Sequence, residues 1–221
     1  MQEKKPIRSY VLRQGRLTKA QHRAIIEFGE QYIIKFEKNT QCKFFENHNP
    51  LIFEIGFGMG VSTFEIAKAN PLNNYLALDV HTPGVGNLIK LASEVDLGNL
   101  KIIQHDAVEV LESMIENLSL DGVNIFFPDP WHKKRHNKRR LINKSNIQLF
   151  ISKIKAGGFI HIATDWEEYA LQIIDLINES NKLTIKSKAF HTRPEFRPPT
   201  KYELRGQRLG HQVWDIFCIK S

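Results

Sequence analysis

From residue 50 onward, short apolar runs alternate with longer stretches in which apolar positions recur at helical spacing. Leu51 to Ile55, Tyr75 to Asp79, Leu100 to Gln104, Val123 to Phe127 and Phe159 to Ala163 read as strands. Between them, roughly Ser62 to Ala69, Gly84 to Val95, Ala107 to Asn117, Lys144 to Lys155 and Trp166 to Asn178 read as helices, with Leu88, Leu91, Ala92 and Val95 marking one apolar face. Such regular alternation predicts a parallel sheet covered on both faces. The remaining apolar pieces, Leu183 to Ser187 and Val213 to Ile219, fit a closing hairpin at the sheet edge. The expected fold is a doubly wound, Rossmann-like α/β sheet, mostly parallel, with an antiparallel strand near the C-terminus.

Ahead of this region, Ala24, Ile25, Phe28 and Tyr32 repeat at helical spacing. Residues 1–47 are read as a basic N-terminal extension whose helix packs on the core behind a mobile tip, and residues 48–221 as that core, all in one domain. The 221 residues, 42% of them hydrophobic, suffice for one substantial core. No apolar run reaches the ~18 residues of a membrane span, and Met1 to Tyr10 lacks the apolar centre of a secretory leader. Two cysteines, Cys42 and Cys218, are too few for a disulfide framework and lack the paired spacing of a zinc site. These features point to a reducing cytoplasm and to no membrane partner.

The net charge of +7 changes the picture once it is located. Residues 1–23 hold seven Lys or Arg against one Glu, and residues 133–140 hold six more with no acid, so the rest of the chain is net acidic. Charge gathered into two short segments suits a polyanion such as nucleic acid. The plainer alternative, a solvated tail, applies better at the chain end than inside the folded region.

The first strand runs into Glu54-Ile55-Gly56-Phe57-Gly58-Met59-Gly60, followed by a helix. Gly56, Gly58 and Gly60 let backbone approach a ligand, but Val61 stands where a dinucleotide fingerprint needs its third glycine. A nucleoside ligand also needs an acceptor for its ribose hydroxyls at the end of the second strand. Asp79 stands there, nineteen residues after Gly60. Asp106 follows the third strand, where a carboxylate can reach an adenine amino group and can equally cap the next helix. Three acids at three strand ends beside a glycine loop predict a nucleoside-type cofactor. This set resembles the class I S-adenosylmethionine-dependent methyltransferases, and the resemblance implies that Glu54, Asp79 and Asp106 line the donor site.

After the fourth strand comes Phe126-Phe127-Pro128-Asp129-Pro130-Trp131, then His132-Lys133-Lys134-Arg135-His136-Asn137-Lys138-Arg139-Arg140. If the strand order reverses between the first and fourth strands, the glycine loop and Asp129 flank the ligand crevice. Prolines on both sides restrict the backbone of Asp129, and Trp131 offers a stacking surface for a base. The cations that follow suit phosphate contacts that position a polynucleotide. His132 and His136 are four apart, yet with no carboxylate between them and cations around them, no metal is expected. Ala163-Thr164-Asp165-Trp166 ends the fifth strand, with Asp165 read as a helix cap, and Arg197-Pro198-Pro199-Thr200-Lys201-Tyr202-Glu203-Leu204-Arg205-Gly206 reads as a proline-stiffened loop suited to a polar base.

In this order the motifs E-I-G-F-G-M-G, L-D-V-H-T-P-G-V, F-F-P-D-P-W-H-K-K-R-H-N-K-R-R, A-T-D-W and T-K-Y-E-L-R-G resemble the tRNA (guanine-N7)-methyltransferases, as does the opening R-S-Y-V-L-R-Q-G-R-L-T-K-A-Q. The resemblance implies a class I methyltransferase domain that uses S-adenosylmethionine to make N7-methylguanosine at guanosine 46 of the tRNA variable loop. It implies that Glu54, Asp79, Asp106 and Asp129 contact the donor and that Asp129 is the catalytic residue. Lys133, Asp165, Thr200, Lys201, Tyr202 and Glu203 would hold the substrate, and Arg135, His136, Asn137, Lys138, Arg139 and Arg140 would meet RNA. Asp79 departs from the family, in which many members carry Glu. No metal and no protein partner is implied, and monomer and homodimer stay open. Two rivals remain: methylation of an exocyclic amine, which the faint D-P-P-Y likeness of Asp129-Pro130-Trp131 suggests, and a noncatalytic RNA-binding protein on the same fold.

Overall fold

The apolar runs pair into a seven-stranded sheet in the computed structural model, which describes residues 7–11, 15–187 and 190–221. Of the N-terminal cations, Lys4, Lys5 and Arg13 lie outside these residues. The strands are β1 (Leu51–Ile55), β2 (Asn74–Leu78), β3 (Leu100–Ile103), β4 (Leu120–Phe126), β5 (Ile154–Thr164), β6 (Leu183–Ile185) and β7 (Trp214–Lys220), in the order β3-β2-β1-β4-β5-β7-β6. The first five pair in parallel, whereas β7 runs antiparallel to both β5 and β6. The order reverses between β1 and β4, which opens a crevice beyond their C-terminal ends.

Successive side chains on a strand point to opposite faces, so apolar strands demand cover on both. Ile52, Tyr75, Ala77 and Ile102 face a layer formed by α1 (Lys19–Tyr32), α2 (Val61–Ala69) and α3 (Thr82–Ser93) through Ala24, Phe64, Ala67, Val85 and Leu88. Phe53, Leu76, Val123 and Ile160 face α4 (Ala107–Ser113), α5 (Lys144–Lys153) and α6 (Glu167–Glu179) through Val110, Phe150, Tyr169 and Ile173. The extension joins the first layer because α1 is started by a Thr18–Gln21 capping box and buries Ala24 and Tyr32.

Four expectations need correction. β5 begins at Ile154, not Phe159; a register shift in β4 between Leu120 and Gly122, together with Gly157 at φ 77°, disguised its first half. α4 stops at Ser113, with Met114 as its C-cap, and Met114 and Ile115 stay buried beyond its end. The Thr200–Gly206 segment is not a loop: α7 (Lys201–Arg208) starts on a capping box between Thr200 and Glu203, which the Thr-x-x-Glu spacing could have disclosed. Asp165 does not cap α6; Trp166 is the N-cap, its amide donating to Thr164 Oγ1.

Candidate active site

The glycine loop after β1 needs backbone that only glycine adopts freely. Gly56, Gly58 and Gly60 have φ of 79°, 61° and 72°. The Gly58 amide donates to Asp79 Oδ2 at 2.7 Å and the His81 amide to Asp79 Oδ1 at 2.9 Å. Burial pushes the Asp79 carboxyl above its ordinary range, and these backbone donors oppose the shift. Behind the loop, Glu54 is 2% exposed; its Oε1 accepts from Thr63 Oγ1 at 2.9 Å and its Oε2 has no hydrogen-bond partner. Burial, opposed by the Thr63 bond, pushes the Glu54 carboxyl up to about 7. Asp106 caps α4, accepting from Val108 and Glu109 amides. The Tyr10 phenol lies against Asp106, and burial followed by that negative charge raises its pKa.

Across the crevice, Phe127 and Trp131 sit at φ 52° and 49° and bracket Pro128-Asp129-Pro130. Left-handed backbone at bulky residues costs on the order of 1–3 kcal/mol each and persists only where surroundings enforce it. Here Phe127 N donates to Ala163 O at 2.7 Å, the Arg140 Nε donates to Pro130 O at 2.9 Å, and the Trp131 indole donates to Ser9 O at 3.0 Å. Arg139 stacks on Trp131 at 3.8 Å and donates to the carbonyls of Arg8 and Tyr10. Trp131 and Arg139 therefore clamp the Arg8–Tyr10 backbone against the turn that carries Asp129.

The result is a cleft of about 440 Å³. Gly56, Gly58, Asp79, Asp129 and Tyr202 line it, joined by Ser9, Tyr10 and Val11. Glu54, Gly60 and Asp106 are not among its walls. Tyr202 arrives on α7, stacked 6.5 Å from Phe127. That helix is anchored by a buried ionic cluster: Arg197, fully buried, bonds Glu203 and Asp215, and His161 also bonds Asp215. Desolvation works against charge on Arg197 and Asp215, but the bonds from His161 and Arg197 outweigh it and hold Asp215 below its ordinary range, while Asp215 and Glu203 raise Arg197. Asp165 lines a neighbouring hollow with Trp166, Glu168 and Trp214 instead.

Two candidates lie in surroundings other than those expected of them. Glu203 was expected to hold substrate, yet its carboxylate is buried on Arg197 and closes the cap of α7. Arg140 was expected to meet RNA, yet it is 2% exposed and its guanidinium faces inward. Lys133, Arg135 and Lys138 are exposed, whereas His136 and Asn137 are half-buried; His132 lies edge-on to Trp166. Sequence reasoning assigned no cleft role to Tyr10; the Arg-Ser-Tyr opening of the N-terminal motif was the available signal. It also passed over Gly84, whose first-turn position in α3 faces the Gly58 carbonyl so closely that no Cβ fits.

Residues 48–216 match the family model described as "Putative methyltransferase". The tRNA (guanine-N(7)-)-methyltransferase of Chromobacterium violaceum is 52% identical over 96% of this chain and 95% of its own length. That of Methylobacillus flagellatus is 50% identical over 96% of this chain and 91% of its own. A solved rRNA methylase from Streptococcus thermophilus shares the fold at a TM-score of 0.53 and 12% identity, covering 93% of this chain and 99% of that one. Identity of this order along nearly the whole chain, on a sheet and crevice of this form, places the protein in the tRNA (guanine-N(7)-)-methyltransferase family of S-adenosylmethionine-dependent enzymes.

Proposed function

We propose that this enzyme methylates N7 of guanine in tRNA, at guanosine 46 of the variable loop, and that Asp129 is its catalytic residue. One observation carries the reading: Asp129 and the Gly56–Gly58 turn line the same cleft at the point where the strand order reverses. The substrate follows from relatives whose names specify it.

The residues fit the donor. Glu54 has a buried carboxylate oxygen without a partner, which suits a cationic ammonium group. Asp79 lines the cleft where ribose hydroxyls would donate, and Asp106, between the lining residues His105 and Ala107, is assigned to the adenine end. When bound, S-adenosylmethionine supplies a methyl group on a sulfonium sulfur, and its transfer to N7 leaves the positive charge on the guanine ring. Guanine N7 has a lone pair and no proton, so Asp129 need not act as a base. Its carboxylate orients the purine and stabilises the developing cation. Pro128 and Pro130 remove backbone freedom on either side of it, and holding the nucleophile in line accounts for several kcal/mol, on the order of 7 or more in the best intramolecular cases. Phe126 and Phe127 give the cleft an apolar wall beside Asp129. Lys133, Asp165, Lys201 and Tyr202 are assigned to the substrate nucleoside, and the exposed Arg135 and Lys138 to tRNA phosphates.

The test is transfer of labelled methyl to unmodified tRNA, with nucleoside analysis and mapping of the modified position, for the wild type and Asp129→Ala. N7-methylguanosine at position 46 is expected. Asp129→Ala should lower kcat by about 100-fold or more with little change in tRNA affinity. A methylated exocyclic amine would overturn the substrate reading, and equal losses in kcat and tRNA affinity would overturn the role of Asp129.

A further inference from the structure

We infer that Arg140 is a positioning residue for Asp129, not a cation that meets tRNA. The inference rests on the catalytic reading of Asp129 and deepens it. Arg140 ends the most basic run of the chain, yet its side chain is 1% exposed. Its guanidinium lies 4.8 Å from the centre of the Tyr169 ring and spends its donors internally: Nε on Pro130 O at 2.9 Å, Nη1 on Gln172 Oε1, and Nη2 on Glu168 Oε1 at 3.1 Å. Glu168 is itself 57% exposed, so this is not a sealed ion pair whose purpose is burial. What the arrangement achieves is mechanical, because it ties the carbonyl of the residue next to Asp129 to the first turns of α6.

That carbonyl is where an anchor is needed. Pro128 and Pro130 have no amide hydrogen, so the Phe127–Trp131 turn can fasten itself through few backbone donors. Its ends are held in left-handed backbone that bulky residues resist. Ala163 fixes the Phe127 end, and Arg140 fixes the Pro130 end. The neighbouring Leu141–Asn143 segment is held to the same helix, since Tyr169 accepts from Ile142 N at 2.9 Å and Gln172 donates to Ile142 O at 3.4 Å. Arg140 thus couples the direction of the Asp129 side chain to α6 through a planar fork. A lysine would keep the charge and lose the fork.

Arg140→Lys separates the two roles. Turnover would be measured per donor-binding site, with active sites counted by calorimetric titration with S-adenosylhomocysteine, alongside tRNA affinity as a function of salt. A purely structural defect lowers melting temperature and the number of active sites, and leaves turnover per site unmoved. A phosphate contact is largely kept by lysine, and its loss in Arg140→Gln flattens the salt dependence. A positioning role predicts that Arg140→Lys lowers kcat per site by about 10- to 100-fold, the scale of an ångström-level misplacement. tRNA Kd and salt slope should stay at wild-type values in both variants. Gln172→Leu should lower kcat in the same direction by less, and should add little to Arg140→Lys.

Wild-type turnover per site in Arg140→Lys, or a shallower salt slope in Arg140→Gln with unchanged kcat, would overturn the inference. If Arg140→Lys does not fold, Gln172→Leu decides: unchanged turnover per site refutes the positioning role. Asp129→Ala keeps the two levels apart. If that variant stays active, the reading of Asp129 itself fails; if it is inactive while Arg140→Lys turns over normally, only the present inference fails.

Discussion

Replacing Gly84 by alanine should disable the donor site although Gly84 does not itself line it. A Cβ at Gly84 would lie 1.9 Å from Gly58 O and 3.0 Å from Gly58 C, whereas real Cβ atoms essentially never approach within 3.0 Å of another heavy atom. The α3 N-terminus and the glycine loop must therefore part by about 1 Å or more. The Gly58 amide now sits 2.7 Å from Asp79 Oδ2, and a shift of that size carries it outside hydrogen-bonding range. Overpacking costs about 1–3 kcal/mol, equivalent to roughly 2–12 °C in Tm for a chain of this size. Loss of a hydrogen bond to a charged acceptor, worth about 1.5–3 kcal/mol, should weaken S-adenosylmethionine binding by about 10- to 100-fold. Gly86→Ala is the control, because its Cβ would meet Gln21 of α1 at 2.9 Å and leave the loop alone. Calorimetric titration well below both melting temperatures separates the effects: a stability loss in both variants, smaller in Gly86→Ala, but weakened donor binding in Gly84→Ala only. Wild-type donor affinity in Gly84→Ala, or equal weakening in both variants, would refute the reasoning.

Two further outcomes follow from buried charge. Because the Glu54 carboxyl titrates near 7 in the folded chain and near 4.5 ordinarily, its stabilising contribution is full below about pH 4.5 and is lost as pH rises to about 7. The resulting penalty reaches about 3 kcal/mol at most. In urea unfolding without donor, Glu54→Gln should therefore gain on the wild type between pH 5 and 8, and a pH-independent difference would count against the buried carboxylate. Arg197→Ala removes the guanidinium that Glu203 and Asp215 share, 2% and 3% exposed, and leaves them only Arg193 at 3.4 Å and His161 at 2.9 Å. It should cost about 3–5 kcal/mol in the same assay, and a loss under about 1 kcal/mol, typical of a surface pair, would show that the cluster is not what anchors α7.

Much of this architecture is legible in the chain because strands buried on both faces leave a strong apolar signal. β1 to β3 fall within a residue of their expected places, with Glu54, Asp79 and Asp106 at or just beyond their ends, whereas β4 begins at Leu120, three residues before the expected Val123. The misses share a cause. β5 is interrupted by Gly157 and Gly158 and by exposed Lys155, so its first half lacks the apolar alternation that marks a strand. α7 is short, mostly exposed and preceded by two prolines, so its capping box is its one clear mark. Tyr10 and Gly84 matter through contacts with residues far along the chain or across a turn, which no local pattern records.

The basic run shows why composition does not reveal the burial of Arg140. Residues Lys134–Arg139 form a 3-10 helix, and in that geometry side chains three apart lie on one face. Arg135 and Lys138 share the exposed face. His136 and Arg139 share a second, and both pack on Trp131, at 6.0 Å and 3.8 Å. Lys134 and Asn137 share a third, exposed at Lys134 and half-buried at Asn137, and Arg140, the cap just past the helix, turns inward, its amide donating to Asn137 O at 2.9 Å. Cations adjacent in sequence are thus divided among solvent, the N-terminal clamp and the turn that carries Asp129. On the proposed reading, one short segment would both face tRNA and hold the Asp129 carboxylate in place.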